Sequence, residues 1–185
     1  MIDKLKHIDN NWTLFLDRDG VLNHQKEGGY ILTWDEFIFY DGVLKAMQFF
    51  ATQFKYIFII TNQRGVGKGL MTEKELQQIH HNMQKSIELA GGRIDGIYYC
   101  TELESNFRKP ATGMALQAQK DFPDVDFSKA IMLGNSISDM EFGRNIGAAT
   151  VFVTTTNPSV DKSDERIDAV YNSLEDFAAA LQSLR

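Results

Sequence analysis

The run Tyr56-Ile57-Phe58-Ile59-Ile60 constrains this chain more than any other stretch, because it is apolar without a break. A strand with one wet face alternates apolar and polar residues, whereas an unbroken aromatic and β-branched run suits a strand buried on both faces. Such strands belong to parallel sheets covered by helices on each side. Similar short runs recur along the chain, and we read strands at Trp12–Leu16, Lys55–Thr61, Ile94–Cys100, Ala130–Leu133 and Thr150–Val153. Helical patterns fall between and after them, at Asp41–Gln53, Thr72 to about Ala90, Thr112–Asp121, Ser136–Asn145 and Ser173–Leu184. Thr72 with Glu75 has the form of a capping box, Gly91-Gly92 stops that helix, and Ser173 with Asp176 caps the last one. Pro123 closes the segment before Ala130. Tyr30–Tyr40 reads as a long connection and Thr154–Asp168 as a polar surface loop. The alternation predicts an α/β fold with a parallel central sheet flanked by helices, as a single domain over residues 1–185.

Composition narrows the function classes. A chain of 185 residues with 43% apolar and 24% charged residues can bury an ordinary core without staples. Its net charge of −6 argues against non-specific nucleic-acid binding, which needs clustered cations on phosphates. Cys100 is the only cysteine, which rules out an intramolecular disulfide and fits a reducing compartment. No apolar run approaches a membrane span, and Met1–Asn11 lacks the apolar core of a signal peptide. The expectation is a cytoplasmic protein, free of membrane and nucleic acid, with nothing that demands more than a monomer.

The chemistry-bearing residues follow the strands. Asp17 and Asp19 stand where the first strand ends, and residues two apart in an extended segment share a side. Two carboxylates that close require a cation between them or a proton on one. Thr61-Asn62-Gln63-Arg64-Gly65-Val66-Gly67-Lys68-Gly69 follows the second strand, Arg108-Lys109-Pro110 the third, and Gly134-Asn135-Ser136-Ile137-Ser138-Asp139 the fourth. Open parallel sheets bind ligands at these C-terminal strand ends. Gly65–Gly69 is not a P-loop, since Asn62 and Gly69 occupy the positions that motif reserves for Gly and for Ser or Thr. It reads instead as a flexible loop over the substrate, with Lys68 either near anions or solvated.

These stretches, with Asp-Arg-Asp-Gly-Val-Leu-Asn (17–23), Gly-Gly-Tyr (28–30), Phe-Ile-Phe-Tyr-Asp-Gly-Val (37–43) and Arg-Lys-Pro-x-x-Gly-Met (108–114), resemble the haloacid dehalogenase-like (HAD) phosphohydrolases. The resemblance covers nearly the whole chain and is nearest to the branch of heptose-bisphosphate and histidinol-phosphate phosphatases. It implies a Rossmann-like HAD fold with no large cap domain, and loops at residues 23–36 and 101–108 around an open site. It also implies Mg2+-dependent hydrolysis, through an aspartyl-phosphate, of a small phosphorylated metabolite, by preference a heptose bisphosphate-like sugar phosphate with histidinol phosphate as the alternative. Asp17 would be the nucleophile and Asp19 the general acid/base, kept protonated by the like charge beside it. Thr61 and Lys109 would contact the transferring phosphoryl group. Asn62, Gln63 and Arg108 would touch phosphate or the sugar-like leaving group. Magnesium would take Asp17, the Asp19 carbonyl and Asn135, with Asp139 binding directly, through water, or only favouring a helix N-terminus.

Two departures from that family stand out. Thr101–Phe107 contains no Cys or His, so the zinc loop common in the branch is absent and no zinc is expected. Asn135 stands where the family usually has an acid. It motivates a rival reading as a catalytically impaired phosphate-binding or regulatory domain; a receiver-like switch phosphorylated on Asp17 is a further one. His24 and Tyr30 lie on the loop after the nucleophile, within reach of substrate or simply solvated. His80 and His81 lie in mid-helix without a partner pattern and read as ordinary helix residues, and Cys100 as a buried strand thiol.

Overall fold

A computed structural model describes residues 7–184. Residues 1–6 and 185, and with them most of the expected absence of a signal sequence and both ends of the expected domain, lie outside the described residues. Among the described residues six strands form one all-parallel sheet: β1 (Thr13–Leu16), β2 (Tyr56–Asn62), β3 (Gly96–Cys100), β4 (Ala130–Gly134), β5 (Ala149–Val153) and β6 (Ala169–Tyr171). Their order across the sheet is β3-β2-β1-β4-β5-β6. The helices are α1 (Val43–Gln53), α2 (Arg64–Gly67), α3 (Glu73–Leu89), α4 (Gly113–Asp121), α5 (Ile137–Asn145) and α6 (Leu174–Gln182).

The apolar runs divide by parity, as pleating requires. Leu14, Leu16, Ile57, Ile59, Ile131, Leu133, Val151 and Val153 share one buried cluster with Met47 and Phe50 of α1, Met83 and Ile87 of α3, and Phe177 and Leu181 of α6. Phe15, Phe58, Ile60 and Met132 pack with Met114, Ala115 and Ala118 of α4 and Phe142 of α5. Helices therefore cover both faces, and the order reverses between β1 and β4, the crevice where doubly wound sheets take ligands.

Most expected elements are present with ends shifted by one or two residues. Asp41–Gly42 is not helical: Gly42 sits at φ 77, and a Cβ there would lie 2.3 Å from the Glu175 carboxyl. The Thr72/Glu75 capping box forms, contributing about 1 kcal/mol to α3. Gly65–Gly69 is not irregular throughout; its first residues close the turn of α2, and Lys68 N–H bonds back to the Arg64 carbonyl. β6 lies where no strand was expected. The stretches leaving the C-terminal ends of β1 and β3, residues 17–42 and 101–112, carry among the described residues nothing more regular than the 3-10 turn Trp34–Glu36. No helix among the described residues is long and apolar enough to cross a membrane.

Candidate active site

A cleft of about 280 Å³ opens at the C-terminal ends of β1, β2 and β4. Asp17, Asp19, Thr61, Asn62, Gln63, Arg108, Lys109, Asn135 and Asp139 all line it, so the topology gathers these nine in one place. Gln25, Lys26, Tyr30 and Ser138 line it too, while His24 packs on Tyr40 with ring centroids 4.0 Å apart and stays outside.

The floor is an ionic triad. Lys109 is buried, and its ammonium reaches Asp17 Oδ1 at 2.8 Å, Asp139 Oδ1 at 2.6 Å and the Ile60 carbonyl at 2.8 Å. Three acceptors match the three protons of an ammonium. Burial pulls the Lys109 ammonium down, but Asp139 and Asp17 outweigh it and hold the group above its usual range. Burial pushes Asp17 up to about 6, opposed by Lys109 and reinforced by the Asp139 charge. The Asp17 N–H donates to the Leu133 carbonyl at 3.0 Å, which ties the end of β1 to β4.

Asp139 is fully engaged. Oδ1 belongs to Lys109, and Oδ2 accepts from the main-chain N–H of Asn135 and Ser136 and from Ser136 Oγ at 2.7 Å. The geometry shows it holding Lys109 and capping α5. Gly134 makes room for this, since a Cβ there would lie 2.3 Å from Asp139 Cβ.

Asp19 differs from its sequence-based expectation. Arg18, inside the motif, is completely buried and grips Asp19 with Nη2 at 2.8 Å from each oxygen. Asn23 Nδ2 donates to Oδ1 at 2.9 Å and Gln63 Nε2 to Oδ2 at 2.8 Å. Burial raises Asp19, but the Arg18 charge and these hydrogen bonds outweigh it and hold the carboxyl below its ordinary value. In the resting protein Asp17, not Asp19, is therefore the raised carboxyl. The like charge of Asp19 is the last of the influences on Asp17, behind burial, Lys109 and Asp139.

Two cleft-lining residues expected to touch substrate also hold the scaffold. Asn62 Oδ1 accepts from the Lys109 main-chain N–H at 3.0 Å, and its Nδ2 donates to the Lys109 carbonyl at 3.2 Å. Gln63 Nε2 bridges Asp19 and Thr61 Oγ1 at 2.8 Å each, which leaves the Thr61 hydroxyl proton free to point into the cleft. Arg108 Nη1 is buried without a partner, and Arg64 and Tyr30 lie close enough to shift the group, although burial is the larger influence. Lys68 sits 5.2 Å over the Tyr30 ring. Among the described residues no carboxylate pairs with Arg64, Lys68 or Arg108, so three cations surround Tyr30 at the mouth.

The Asn135 amide closes the site. One end contacts Thr156 Oγ1 at 2.7 Å, and the other lies 3.3 Å from both Asp17 Oδ2 and the Asp19 carbonyl oxygen. With nitrogen inward it satisfies both acceptors; with oxygen inward, three oxygens converge as the donor set of a hard cation. Gly20 is required beside it, because a Cβ there would sit 2.1 Å from the amide. No cluster of three His, Cys, Asp or Glu side chains suited to a metal occurs among the described residues. The residues that sequence reasoning missed, Arg18 and His80, lie beneath the cleft. His80 Nε2 meets Arg18 Nη1 at 3.1 Å, so this helix histidine does have a partner, 62 residues away.

A HAD-hydrolase-like family model matches residues 106–177. A D-glycero-alpha-D-manno-heptose-1,7-bisphosphate 7-phosphatase of Mycobacterium bovis is 35% identical over 179 residues, 95% of this chain and 94% of the relative. A D-glycero-beta-D-manno-heptose-1,7-bisphosphate 7-phosphatase of Photorhabdus laumondii is 32% identical over 183 residues, 93% of this chain and 96% of the relative. Among solved structures, D,D-heptose 1,7-bisphosphate phosphatase from B. bronchiseptica, complexed with magnesium and phosphate, superposes with a TM-score of 0.84 at 26% identity, covering 94% of this chain and 99% of that one.

Proposed function

The chain belongs to the HAD-like phosphatases, in the branch of the heptose-1,7-bisphosphate 7-phosphatases, and from that premise we propose that it is a magnesium-dependent phosphatase that removes one phosphate from a small sugar bisphosphate. The observation that carries the reading is the two-sided environment of Asp17. One oxygen lies on Lys109, while the other faces the Asp19 carbonyl and the Asn135 amide. Such a carboxylate is held in one orientation at the floor of a cleft, as a nucleophile must be.

Asp17 attacks phosphorus, forming an aspartyl-phosphate as the bond to the leaving oxygen breaks. The incoming phosphate dianion brings a like charge beside Asp19 and favours its protonated form, and that proton passes to the departing alkoxide. Asp19, again ionised, then takes a proton from the water that cleaves the aspartyl-phosphate. Thr61 donates its hydroxyl to a phosphoryl oxygen, and Lys109 offsets charge on Asp17 and on the transferring group. Asn62, Gln63 and Asp139 position these groups. Asp17 Oδ2, the Asp19 carbonyl and Asn135 with its oxygen inward would hold Mg2+, which when bound would supply charge stabilisation for the phosphoryl oxygens. Because Asn135 adds no charge, Asn135→Asp should lower the magnesium concentration for half-maximal rate by about tenfold, with the same shift in a calorimetric magnesium titration. An unchanged affinity removes Asn135 from the ligand set.

Tyr30 and the cations Arg64, Lys68 and Arg108 favour a substrate with a second anionic group. Arg108→Met should cut kcat/KM for a sugar bisphosphate by roughly 10- to 100-fold, the worth of one charge-assisted hydrogen bond, and alter a monophosphate little. Equal losses for both substrates would count against a second phosphate there. The governing experiment is phosphate release from both anomers of heptose 1,7-bisphosphate, from sugar monophosphates and from histidinol phosphate, with and without magnesium. Magnesium-dependent release that favours a bisphosphate supports the reading. Silence across the panel at high magnesium leaves a non-catalytic phosphate-binding domain.

A further inference from the structure

Arg18 is the largest completely buried side chain of the described residues, and the mechanism above assigns it no contact with substrate. Its guanidinium lies beneath the cleft between three groups. Nε and Nη2 face Asp19, Nη1 faces His80 Nε2 at 3.1 Å, and Cζ stands 5.8 Å from the centre of the Phe37 ring. A guanidinium has no acceptor, so the imidazole nitrogen receives the hydrogen bond and the ring is neutral with its proton on Nδ1. Burial, with the Arg18 charge second, pushes the His80 imidazole down to about 3, which keeps it neutral at any working pH.

The chemistry of this arrangement is specific. A sealed guanidinium must place all its N–H groups or leave orphans that cost about 1–3 kcal/mol each. A second carboxylate at Nη1 would compete with Asp19 for Arg18. A neutral acceptor satisfies Nη1 and leaves the charge, and the forked edge, to Asp19. His80 comes from α3, an element that supplies no cleft-lining residue. The orientation of the acid is thus set by a helix outside the site.

We propose that Arg18 and His80 form a positioning pair that fixes the Asp19 carboxyl for proton transfer to the leaving oxygen. The proposal rests on the phosphatase reading. The step it serves forms the Asp17–phosphorus bond and breaks the bond from phosphorus to the leaving oxygen, whose electron pair takes the Asp19 proton. Without His80, Nη1 is orphaned, the guanidinium turns toward another acceptor and Asp19 turns with it.

The test compares leaving groups. An alkyl phosphate needs its oxygen protonated as it leaves, whereas 4-nitrophenol departs as an anion and needs no acid. Because kcat/KM reports through the first irreversible step, it isolates this proton transfer. In His80→Leu, kcat/KM for the preferred sugar phosphate should fall by about tenfold or more, part of what a general acid contributes, while that for 4-nitrophenyl phosphate changes by less than about threefold. His80→Gln, whose amide oxygen can replace Nε2 as acceptor, should restore the wild-type ratio. If the leucine variant does not fold, Arg18→Lys, which keeps the charge and loses the fork, should show the same skewed ratio. Parallel losses on both esters, or a glutamine variant as skewed as leucine, overturn the positioning role and leave the pair merely structural. A wild-type protein that hydrolyses neither ester with magnesium overturns the phosphatase reading, and the proposal falls with it.

Discussion

Asp17→Asn should lower turnover of the preferred phosphate ester by about 10⁴-fold or more, since the side chain that bonds to phosphorus is gone. The fold should survive the change intact. Asparagine keeps an oxygen for Lys109, and Lys109 keeps Asp139 and the Ile60 carbonyl. In metal-free buffer the variant should melt no lower than the parent at neutral pH, because the carboxylate removed is one that burial has pushed from 3.8 up to about 6. The sign follows from linkage: a carboxyl that holds its proton more tightly when folded loses stability as pH rises between about 4 and 6, then contributes a constant deficit above. The Asn variant should lack that decline. Thermal melts from pH 4 to 8, beside phosphate release by both proteins, check the prediction; a variant retaining more than a trace of turnover excludes Asp17 as the nucleophile.

Lys109→Met should damage both activity and stability. It leaves Asp17 and Asp139 buried without the cation between them, a loss worth about 3–5 kcal/mol when one partner of a buried ionic group is removed. For a chain of this size that is a fall of roughly 6–20 °C in melting temperature. Turnover should drop at least about 10²–10³-fold, the usual consequence of losing a preorganised charge at a transferring group. The stability deficit should shrink as pH falls toward about 6, because without Lys109, which lowers it, Asp17 takes up its proton at a higher pH than in the parent. Adding Asp17→Asn to Lys109→Met should recover part of the lost stability and none of the turnover, a non-additivity expected of groups in direct contact. A Lys109→Met protein that melts with the parent at pH 7 would falsify the triad as the structural keystone of the cleft floor.

The sheet was readable from the chain because its central strands are continuous apolar runs, and Leu14/Phe15/Leu16 need no pattern to declare burial on both faces. β6 was not, since Ala169–Tyr171 is three half-buried residues at an edge after a polar loop, too short for any period to register. The gathering of Asp17, Thr61, Lys109 and Asn135 was legible from their common place after successive strands. Their division of labour was not. Asn62 has the same amide whether it holds a sugar or the main chain of Lys109, and only the 3.0 Å contact to that N–H distinguishes the two. Arg18 looks like a solvated spacer between two acids. Its burial depends on Phe37 and His80, brought in by distant segments. Spacing placed Asp139 near the site, but not the four donors that its two oxygens meet at Lys109 and the start of α5.

The place of β1 in the sheet has a consequence for the order of events during folding. It is the first strand in the chain and lies between β2 and β4. A half-sheet of β3, β2 and β1 needs nothing beyond Cys100, yet in it β1 is an open edge and the Asp17 amide has no carbonyl to bond. That edge closes only when Ala130–Gly134 docks along it, a pairing between residues more than a hundred positions apart and thus a slow one. The same strand delivers Asn135 and, through the turn that follows, Asp139. Catalytic competence is therefore the late product of a long-range docking event, and until it occurs the chain carries an exposed strand edge of the kind that recruits other chains.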